Sequence, residues 1–268
     1  MPNPYYEPGA QRAAKVRALF GKIAPRYDLL NDLQSFGLHR YWKRRVLELT
    51  QAQAGQWGLD VCCGTGDLAL AMARHGVNVV GLDFSEQMLA VAAGKRSKFQ
   101  SAVSKPRGAS SPARSSPITH HVFLRGDAQQ LPFCDGCFDI VTVGYGLRNL
   151  TDWEVGLREM QRVAKPGGRL LVLEFGKPDN PIWRRAYFAY LRLFVPCLGL
   201  VAAGDANAYA YILESLKHYS AQHAVALKME ELGLVETRVV SLLGGVMSVN
   251  YARKKSGTFV QNTAVGTK

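Results

Sequence analysis

The sequence predicts an α/β protein with a mostly parallel, seven-stranded sheet, and three observations support this fold class. Short apolar runs alternate with helical patterns through the middle of the chain, as in strands joined by crossover helices. A glycine turn, Gly64-Thr65-Gly66-Asp67, stands between the first predicted strand and a helix. Near the end, residues 236–242 and 246–252 flank Gly244-Gly245, which predicts a closing antiparallel hairpin.

Each element before the hairpin follows from its own pattern. Apolar runs predict parallel strands over residues 57–61, 77–84, 121–125, 138–143 and 169–175. Residues 67–75 are helical because Leu68, Ala71 and Met72 fall on one side. Ser85 is a good N-cap for the next helix, and a helix over 152–164 is stopped by the Lys-Pro-Gly-Gly segment 165–168.

The 268 residues suit a single domain, which we predict over residues 1–255, with a disordered polar tail over 256–268. Residues 1–50 and 176–220 do not fit the strand–helix alternation. They are aromatic-rich and helical, and we expect them to cap the C-terminal edge of the sheet, where open α/β sheets bind ligands. Residues 97–117 are rich in Ser, Pro and basic residues, which predicts a flexible basic insertion.

Charge and cysteine usage restrict the classes of function. Lys and Arg number 33 against 21 Asp and Glu, a net charge of +12, yet no nucleic-acid-binding motif accompanies the excess. We therefore expect no nucleic-acid partner, and weak attraction to an anionic membrane surface. No apolar run of about 20 residues and no secretion-signal pattern is present, which predicts a cytoplasmic protein. Cys134 and Cys137 form a C-x-x-C pair without further ligand spacing, so we expect no metal site and no function for the pair.

Acidic residues follow successive predicted strands and indicate the kind of ligand. Asp60, Asp83 and Asp127 stand at strand ends, and Asp67 opens the helix after the glycine turn. A carboxylate at that helix start would repel a pyrophosphate but tolerate an amine and a sulfonium. Adenine, ribose and a cationic amino-acid tail without phosphate describe S-adenosylmethionine. The same glycines also satisfy the dinucleotide pattern through Ala69, so a nicotinamide-dependent oxidoreductase is the competing interpretation.

Several blocks of sequence resemble a known family. Residues 60–67, Gly126-Asp127-Ala128 and residues 165–169 are similar to class I methyltransferase motifs. Tyr145-Gly146-Leu147-Arg148-Asn149 resembles the motif of the ubiquinone/menaquinone biosynthesis C-methyltransferases, and the blocks at 27–43 and 208–215 strengthen the likeness. The resemblance runs from about Phe20 to Lys254, interrupted by the basic insertion.

The resemblance implies a class I methyltransferase Rossmann-like fold and S-adenosylmethionine-dependent C-methylation of a polyprenylated naphthoquinol, demethylmenaquinol to menaquinol. Cys62-Cys63 and Gly144-Tyr145 resemble the naphthoquinone branch more than the benzoquinone branch. The alternatives are methylation of a polyprenyl methoxybenzoquinol for ubiquinone, or of both quinols. A non-catalytic scaffold with the same fold is a third class, which the intact glycines and acids disfavour.

The resemblance and the strand-end pattern together nominate the site residues. Cofactor-binding candidates are Asp60, Gly64, Thr65, Gly66, Asp67, Asp83, Asp127, Ala128 and Gly144. Some relatives have a serine at the position of Gly144, so this glycine offers backbone contacts only. Catalytic candidates are Arg148 and Asn149, which hydrogen-bond a quinol oxygen, and His39 as a base. Substrate-binding candidates are Tyr27, Asn31, Tyr145, Tyr209, Tyr211 and Ser215.

The apolar segment 186–203 has two interpretations. It is either a buried helix pair over the sheet or a groove for the isoprenoid tail that opens toward the bilayer, with Arg184 and Arg185 near the headgroups. We expect peripheral contact at the inner face of the plasma membrane, and we keep a homodimer among the expected assemblies.

Overall fold

A computed structural model describes Tyr5 and residues 11–104, 120–203 and 206–256, without the side chains of 102–104, 201–203 and 206–209. Its seven strands form one sheet with the order β3-β2-β1-β4-β5-β7-β6. Strand β7 runs antiparallel to both of its neighbours, β5 and β6, and the other described pairs are parallel. The strands are β1 Trp57–Val61, β2 Asn78–Asp83, β3 His121–Arg125, β4 Phe138–Gly144, β5 Ala164–Phe175, β6 Leu234–Leu242 and β7 Met247–Lys254. The parallel sheet and the closing hairpin are therefore confirmed.

Helices cover the sheet and supply the segments outside the alternation. Three short 3₁₀ turns lie at Ala24–Arg26, Leu147–Asn149 and Leu243–Gly245. The α-helices are α1 Arg12–Ile23, α2 Tyr27–Ser35, α3 Leu38–Thr50, α4 Asp67–Arg74, α5 Glu86–Ser104, α6 Trp153–Val163, α7 Pro181–Ala203, α8 Ala206–His218 and α9 Ala221–Glu231. Among the described helices, none combines the length and apolar character needed to cross a bilayer.

The central strands carry the core. Leu59, Ile140, Val141 and Leu171 are fully buried, and their strands read as near-continuous apolar runs because helices cover both faces of the sheet. β1 pairs in parallel with both β2 and β4. From β1 the chain adds β2 and β3 on one side of the sheet and β4 and β5 on the other. This change of side leaves a crevice beyond the carboxyl ends of β1 and β4.

Three sequence-based expectations need correction. Strand β5 begins at Ala164 and not at the predicted residue 169, because residues 165–168, with Gly167 at a φ of +77°, form an irregularity within it before regular pairing with β4 resumes at Arg169. Helix α5 continues through residues 97–104, the first part of the predicted flexible insertion. Cys134 and Cys137 form a disulfide rather than an incidental pair. The rest of the insertion, 105–117, and residues 257–268 of the predicted tail lie outside the described residues.

The start of α6 offers a test of the fold. The Asp152 carboxylate accepts hydrogen bonds from the backbone N–H groups of Glu154 and Val155, at 2.9 and 3.1 Å. We expect Asp152→Ala to lower the free energy of unfolding by about 1 kcal/mol, because these donors lose their partner. Urea denaturation measures the change. Asp152→Asn keeps an acceptor and should stay close to wild type; an equal loss in both variants would contradict the capping role.

Candidate functional site

A cleft of about 390 Å³ opens at the carboxyl ends of β1, β2 and β4. Apolar side chains, among them Phe84 and Met88, form much of its wall. Five of the nine predicted cofactor residues line it: Gly64, Asp83, Asp127, Ala128 and Gly144. The structure thus brings together residues that are up to 80 positions apart, because parallel strands end at one edge of the sheet.

The glycine turn shapes the floor of the cleft. Gly64 and Gly66 have φ angles of +54° and +81°, in the left-handed region that residues other than glycine rarely adopt. A Cβ atom at Gly66 would also lie 2.8 Å from the Phe123 ring. The Gly64 N–H donates to Asp83 Oδ2 at 2.8 Å, which fixes the turn to the end of β2.

Asp83 is suited to bind a pair of hydroxyls. Its two oxygens accept from the N–H groups of Gly64 and Ser85, at 2.8 and 2.9 Å. Burial raises the pKa of this carboxyl, and the backbone hydrogen bonds counter part of the rise. A carboxylate has about four acceptor positions, so acceptor capacity remains for a ligand such as a ribose diol. Asp127 is exposed at the other end of the cleft, where its Oδ1 accepts from the Gln129 N–H at 2.8 Å.

Asp60, Thr65 and Asp67 line a small adjoining cavity together with Lys43. The buried Asp60 accepts from the Ala69 N–H at 3.0 Å and the Thr142 hydroxyl at 2.8 Å. Burial nevertheless raises its pKa to about 7. The N-terminus of α4 points at this cavity, which therefore combines cationic and acidic groups suited to an amino-acid moiety.

Asp67 does not carry an unopposed charge. Lys43 Nζ and Lys95 Nζ each lie 2.6 Å from its oxygens. Burial acts to raise the pKa of Asp67, but the two lysines outweigh it and lower the pKa to about 2. Lys95 Nζ also lies 2.5 Å from Asp28 Oδ2, and the Thr65 hydroxyl donates to Asp28 Oδ1 at 2.8 Å. The network ties α2 and α5 to the glycine turn.

Arg148 occupies a buried polar cluster beside the cleft and is only 4% exposed. Its Nε lies 3.0 Å from Glu174 Oε1 at the end of β5. Its Nη1 donates to Asn149 Oδ1 at 2.5 Å and to the Ser215 hydroxyl at 3.2 Å. The guanidinium also lies 5.0 Å from the centre of the Phe175 ring. The cluster holds a positive charge in a fixed orientation, which suits the binding of an anionic oxygen.

Comparison with known proteins assigns the family. Residues 9–254 match the model of the ubiE/COQ5 methyltransferase family. The chain belongs to this family. It is 40% identical to demethylmenaquinone methyltransferase of Desulfitobacterium hafniense, with 92% of each chain covered. It is 37% identical to the ubiquinone/menaquinone biosynthesis C-methyltransferase UbiE of Cellvibrio japonicus, covering 91% of this chain and 92% of that one.

Solved structures agree with the fold. A SAM-dependent methyltransferase of Thermotoga maritima, titled a possible histamine N-methyltransferase, aligns with a TM-score of 0.59 at 18% identity, covering 89% of this chain and 99% of that one. A putative S-adenosylmethionine-dependent methyltransferase of Methanococcus maripaludis gives 0.58 at 16% identity, covering 90% and 96%. The fold is that of the class I methyltransferases. Membership of the ubiE/COQ5 family favours S-adenosylmethionine over the nicotinamide cofactor of the competing interpretation.

Aromatic residues of the family motifs surround the Arg148 cluster. The Tyr211 hydroxyl donates to Asn149 Oδ1 at 3.0 Å, and Asn149 Nδ2 donates to the Tyr145 carbonyl at 2.9 Å. Tyr27 lines the main cleft, and burial raises its pKa to about 12 although a hydrogen bond with Asn31 acts to lower it. Tyr209 belongs to α8, but its side chain is outside the described part of the chain.

His39 lies apart from Arg148, in a cavity between α2 and α7 that is also lined by Asn31 and Tyr145. Its Nδ1 is 3.1 Å from the Ser35 hydroxyl, which itself donates to the Asn31 carbonyl at 2.5 Å. Since that hydroxyl proton is engaged and Asp32 Oδ1 lies 3.6 Å from Nδ1, the surroundings favour the tautomer with its proton on Nδ1, which leaves Nε2 as the acceptor of a neutral ring. Burial, followed by the charge of Lys43, lowers the pKa of His39, which favours this neutral form.

The sequence analysis did not name three charged residues that lie at the site. Lys43 and Lys95 come from α3 and α5, and no spacing relates them to the glycine turn. Glu174 could have been found from the sequence, since it stands at the end of a predicted strand, as do the aspartates that were chosen as site candidates.

The raised pKa of Asp60 predicts a pH-dependent stability. Between about pH 4 and 7 the folded chain keeps this proton while the unfolded chain loses it, so the contribution of Asp60 becomes more destabilising as pH rises. We expect the melting temperature of Asp60→Asn, relative to that of wild type, to rise from pH 5 to pH 8, as measured by differential scanning fluorimetry.

Asp67→Asn is the matched control. Asp67 has a pKa of about 2, so it is ionised in both states over this range, and the difference from wild type should not change with pH. A constant difference for Asp60→Asn as well would argue against a protonated Asp60 in the folded chain.

Proposed function

We propose that this chain is an S-adenosylmethionine-dependent C-methyltransferase that converts demethylmenaquinol, a polyprenylated naphthoquinol, to menaquinol. The observation that carries the proposal is the buried Arg148–Asn149 cluster next to a cleft with the strand-end carboxylates Asp83 and Asp127. Two relatives, 40% and 36% identical, are named demethylmenaquinone methyltransferase. Others, at 37% and 38%, are named for both ubiquinone and menaquinone synthesis, so the methoxybenzoquinol is the second candidate substrate.

The residues at hand fit the cofactor. Asp83 would hold the ribose hydroxyls, and Asp127 with the backbone of Ala128 would bind the adenine. The amino-acid end fits the adjoining cavity, where Lys43 offers its charge to a carboxylate and Asp60 accepts from an amine. Gly144 lines both spaces, and a Cβ atom there would come within 2.9 Å of Leu68.

The bound cofactor supplies an electrophilic methyl group for in-line attack by an electron-rich ring carbon. Arg148 would lower the pKa of a quinol hydroxyl beside it, which pushes electron density onto the neighbouring carbon. Glu174 holds the guanidinium at 3.0 Å, so the charge is oriented before substrate arrives. His39 Nε2 is the proposed acceptor for a phenolic proton. Tyr27, Asn31, Tyr145, Tyr209, Tyr211 and Ser215 are the proposed walls of the ring site.

The direct test is a competition assay. Labelled S-adenosylmethionine is supplied with equal amounts of reduced demethylmenaquinol and the demethylated polyprenyl benzoquinol, and products are identified by mass. We expect label in the naphthoquinol only. Label in both quinols would support the dual activity, and label in neither, from protein that binds the cofactor, would refute the proposed substrate.

Arg148→Lys and Arg238→Lys form a matched pair for the same assay. Arg238, on β6, lies over the ring of Tyr251 on β7 and does not line the cleft. Arg148→Lys should lower kcat by 100-fold or more, because an ammonium cannot reproduce the fork of contacts to Glu174, Asn149 and Ser215. Arg238→Lys should leave kcat within about twofold of wild type.

We also propose a cytoplasmic location with peripheral contact at the inner face of the plasma membrane. Helices α2 and α7 meet at an apolar surface where Phe36 is 71% exposed and stacks near Phe194, their ring centres 6.0 Å apart. Exposed arginines also occur on the same segments of the chain: Arg40 on α3 and Arg184, Arg185 and Arg192 on α7. Exposed apolar side chains on helices that also carry exposed arginines favour an anionic bilayer interface.

Flotation with anionic liposomes at low salt tests the membrane contact. The double variant Phe36→Ser/Phe194→Ser should lose most co-flotation, because the apolar contacts with the acyl region are gone. Leu227→Ser is the control, since Leu227 is 60% exposed on the distant α9. Equal flotation of all three proteins would refute this surface. The homodimer stays a prediction, for which light scattering is the measurement.

A further inference from the structure

Two small cavities beside the cleft share a wall of four residues, Asn31, Gln34, Tyr145 and Phe175. The first cavity, which we call the arginine lobe, is also lined by Arg148 and Tyr211. The second, the tyrosine lobe, lies between α2 and α7 and is also lined by His39, Tyr187 and Tyr190. The proposed function places one oxygen of the quinol in the arginine lobe. In the tyrosine lobe it uses only His39, as a proton acceptor, and assigns no group that binds the second quinol oxygen.

The tyrosine lobe is lined by two buried side chains whose hydroxyls have no partner among the described residues. Tyr145 is 9% exposed and Tyr187 is 5% exposed, and neither hydroxyl makes a hydrogen bond. A buried hydroxyl without a partner costs folding stability, whereas phenylalanine would fill the same space without that cost. Two such hydroxyls at one cavity indicate a ligand that satisfies them when it binds.

A 1,4-quinol has the matching shape, because its two oxygens lie at opposite edges of the ring. One oxygen neighbours the carbon that is methylated, and the other neighbours the carbon that carries the polyprenyl tail. If Arg148 and Asn149 bind the first oxygen, the second points away from the methyl donor. The two lobes lie on either side of a shared wall, which provides two separate polar positions for these oxygens.

We infer that the Tyr187 hydroxyl binds the quinol oxygen remote from the methyl donor, in the cavity between α2 and α7, with the polyprenyl tail leaving past Tyr190. This inference rests on the proposed function for the identity of the ring. Leu191 and Val195 of α7 line the same cavity and offer apolar contacts to the start of the tail. The exposed rings of Phe36 and Phe194 lie next to Tyr190, at the outer end of this path.

The described conformation is closed around this position. The tyrosine lobe has a volume of about 40 Å³, which is smaller than an aromatic ring. The Tyr190 hydroxyl donates to the Gln34 carbonyl at 2.5 Å and joins α7 to α2. Entry of the ring therefore requires α2 to separate from α7 and this hydrogen bond to break.

The test compares Tyr187→Phe with Tyr219→Phe as a matched control. The Tyr219 hydroxyl is also buried and unpartnered, but Tyr219 packs against Trp153 and lines neither lobe. Removal of an unpaired hydroxyl should raise the melting temperature of both variants by about 2–4 °C. This measurement reports whether each variant folds, independently of activity.

Binding is measured by tryptophan fluorescence with S-adenosylhomocysteine present. The two ligands are demethylmenaquinol and the matching 3-polyprenyl-1-naphthol, which lacks only the remote oxygen. We expect Tyr187→Phe to raise the Kd of the quinol about 10-fold, the effect of one lost hydrogen bond, and to leave that of the naphthol unchanged. Tyr219→Phe should change neither Kd.

Equal changes for both ligands, or a lower melting temperature of Tyr187→Phe, would overturn this inference and leave the proposed function standing. Failure of wild type to bind either ligand while it binds S-adenosylhomocysteine would refute the proposed substrate and the inference together. The two failures are thus distinguished within one experiment.

Discussion

The buried ion pair between Arg148 and Glu174 is the contact on which the candidate active site depends. Both side chains are removed from water, a cost that their attraction alone does not repay. Additional contacts reduce it: Glu174 Oε2 lies 3.3 Å from the Arg148 N–H, and Ser215 and Phe175 also contact the guanidinium. The pair therefore joins the end of β5 to the turn after β4 and orients one positive charge beside the cleft.

Charge compensation extends from this pair along the carboxyl edge of the sheet. Parallel strands collect acidic residues at one edge, and uncompensated carboxylates there would repel one another and an approaching anionic oxygen. A helix outside the strand–helix alternation contributes part of the opposing charge, since Lys43 belongs to α3. Lys95 of α5 contributes the rest and also pairs with Asp28 of α2. The cap segments are consequently part of the site's electrostatics and not merely a cover.

Most of the fold could be predicted, because local sequence patterns determine its strands and helices. Most of the site residues that the sequence analysis missed could not be predicted, because only tertiary contacts bring them to the site. Strand β1 was predicted to the residue, and Ser85 caps α5 through its hydroxyl, 3.4 Å from the Met88 N–H. The predicted start of β5 was five residues late, because a Pro-Gly-Gly segment is typical of a turn, whereas here it forms an irregularity within the strand. Family motifs nominated Arg148 and Asn149, whose role stays a prediction. The two lysines that pair with Asp67 have no sequence relation to it, only proximity in the folded chain.

The geometry between the cofactor cleft and the ring site is obtained at the expense of stability. Cys62 and Tyr145, which follow β1 and β4, have φ angles of +53° and +61°, a conformation that costs non-glycine residues of order 1–3 kcal/mol each. The two turns pack so closely that a Cβ atom at Gly146 would lie 2.4 Å from the Cys62 Cβ. The Tyr145 side chain lines both cavities, and its hydroxyl has no partner among the described residues. The strained backbone and the unsatisfied hydroxyl of Tyr145 are both unfavourable for folding. Both are explained if the conformation of Tyr145 serves to bind the substrate ring, at a cost in the stability of the unliganded protein.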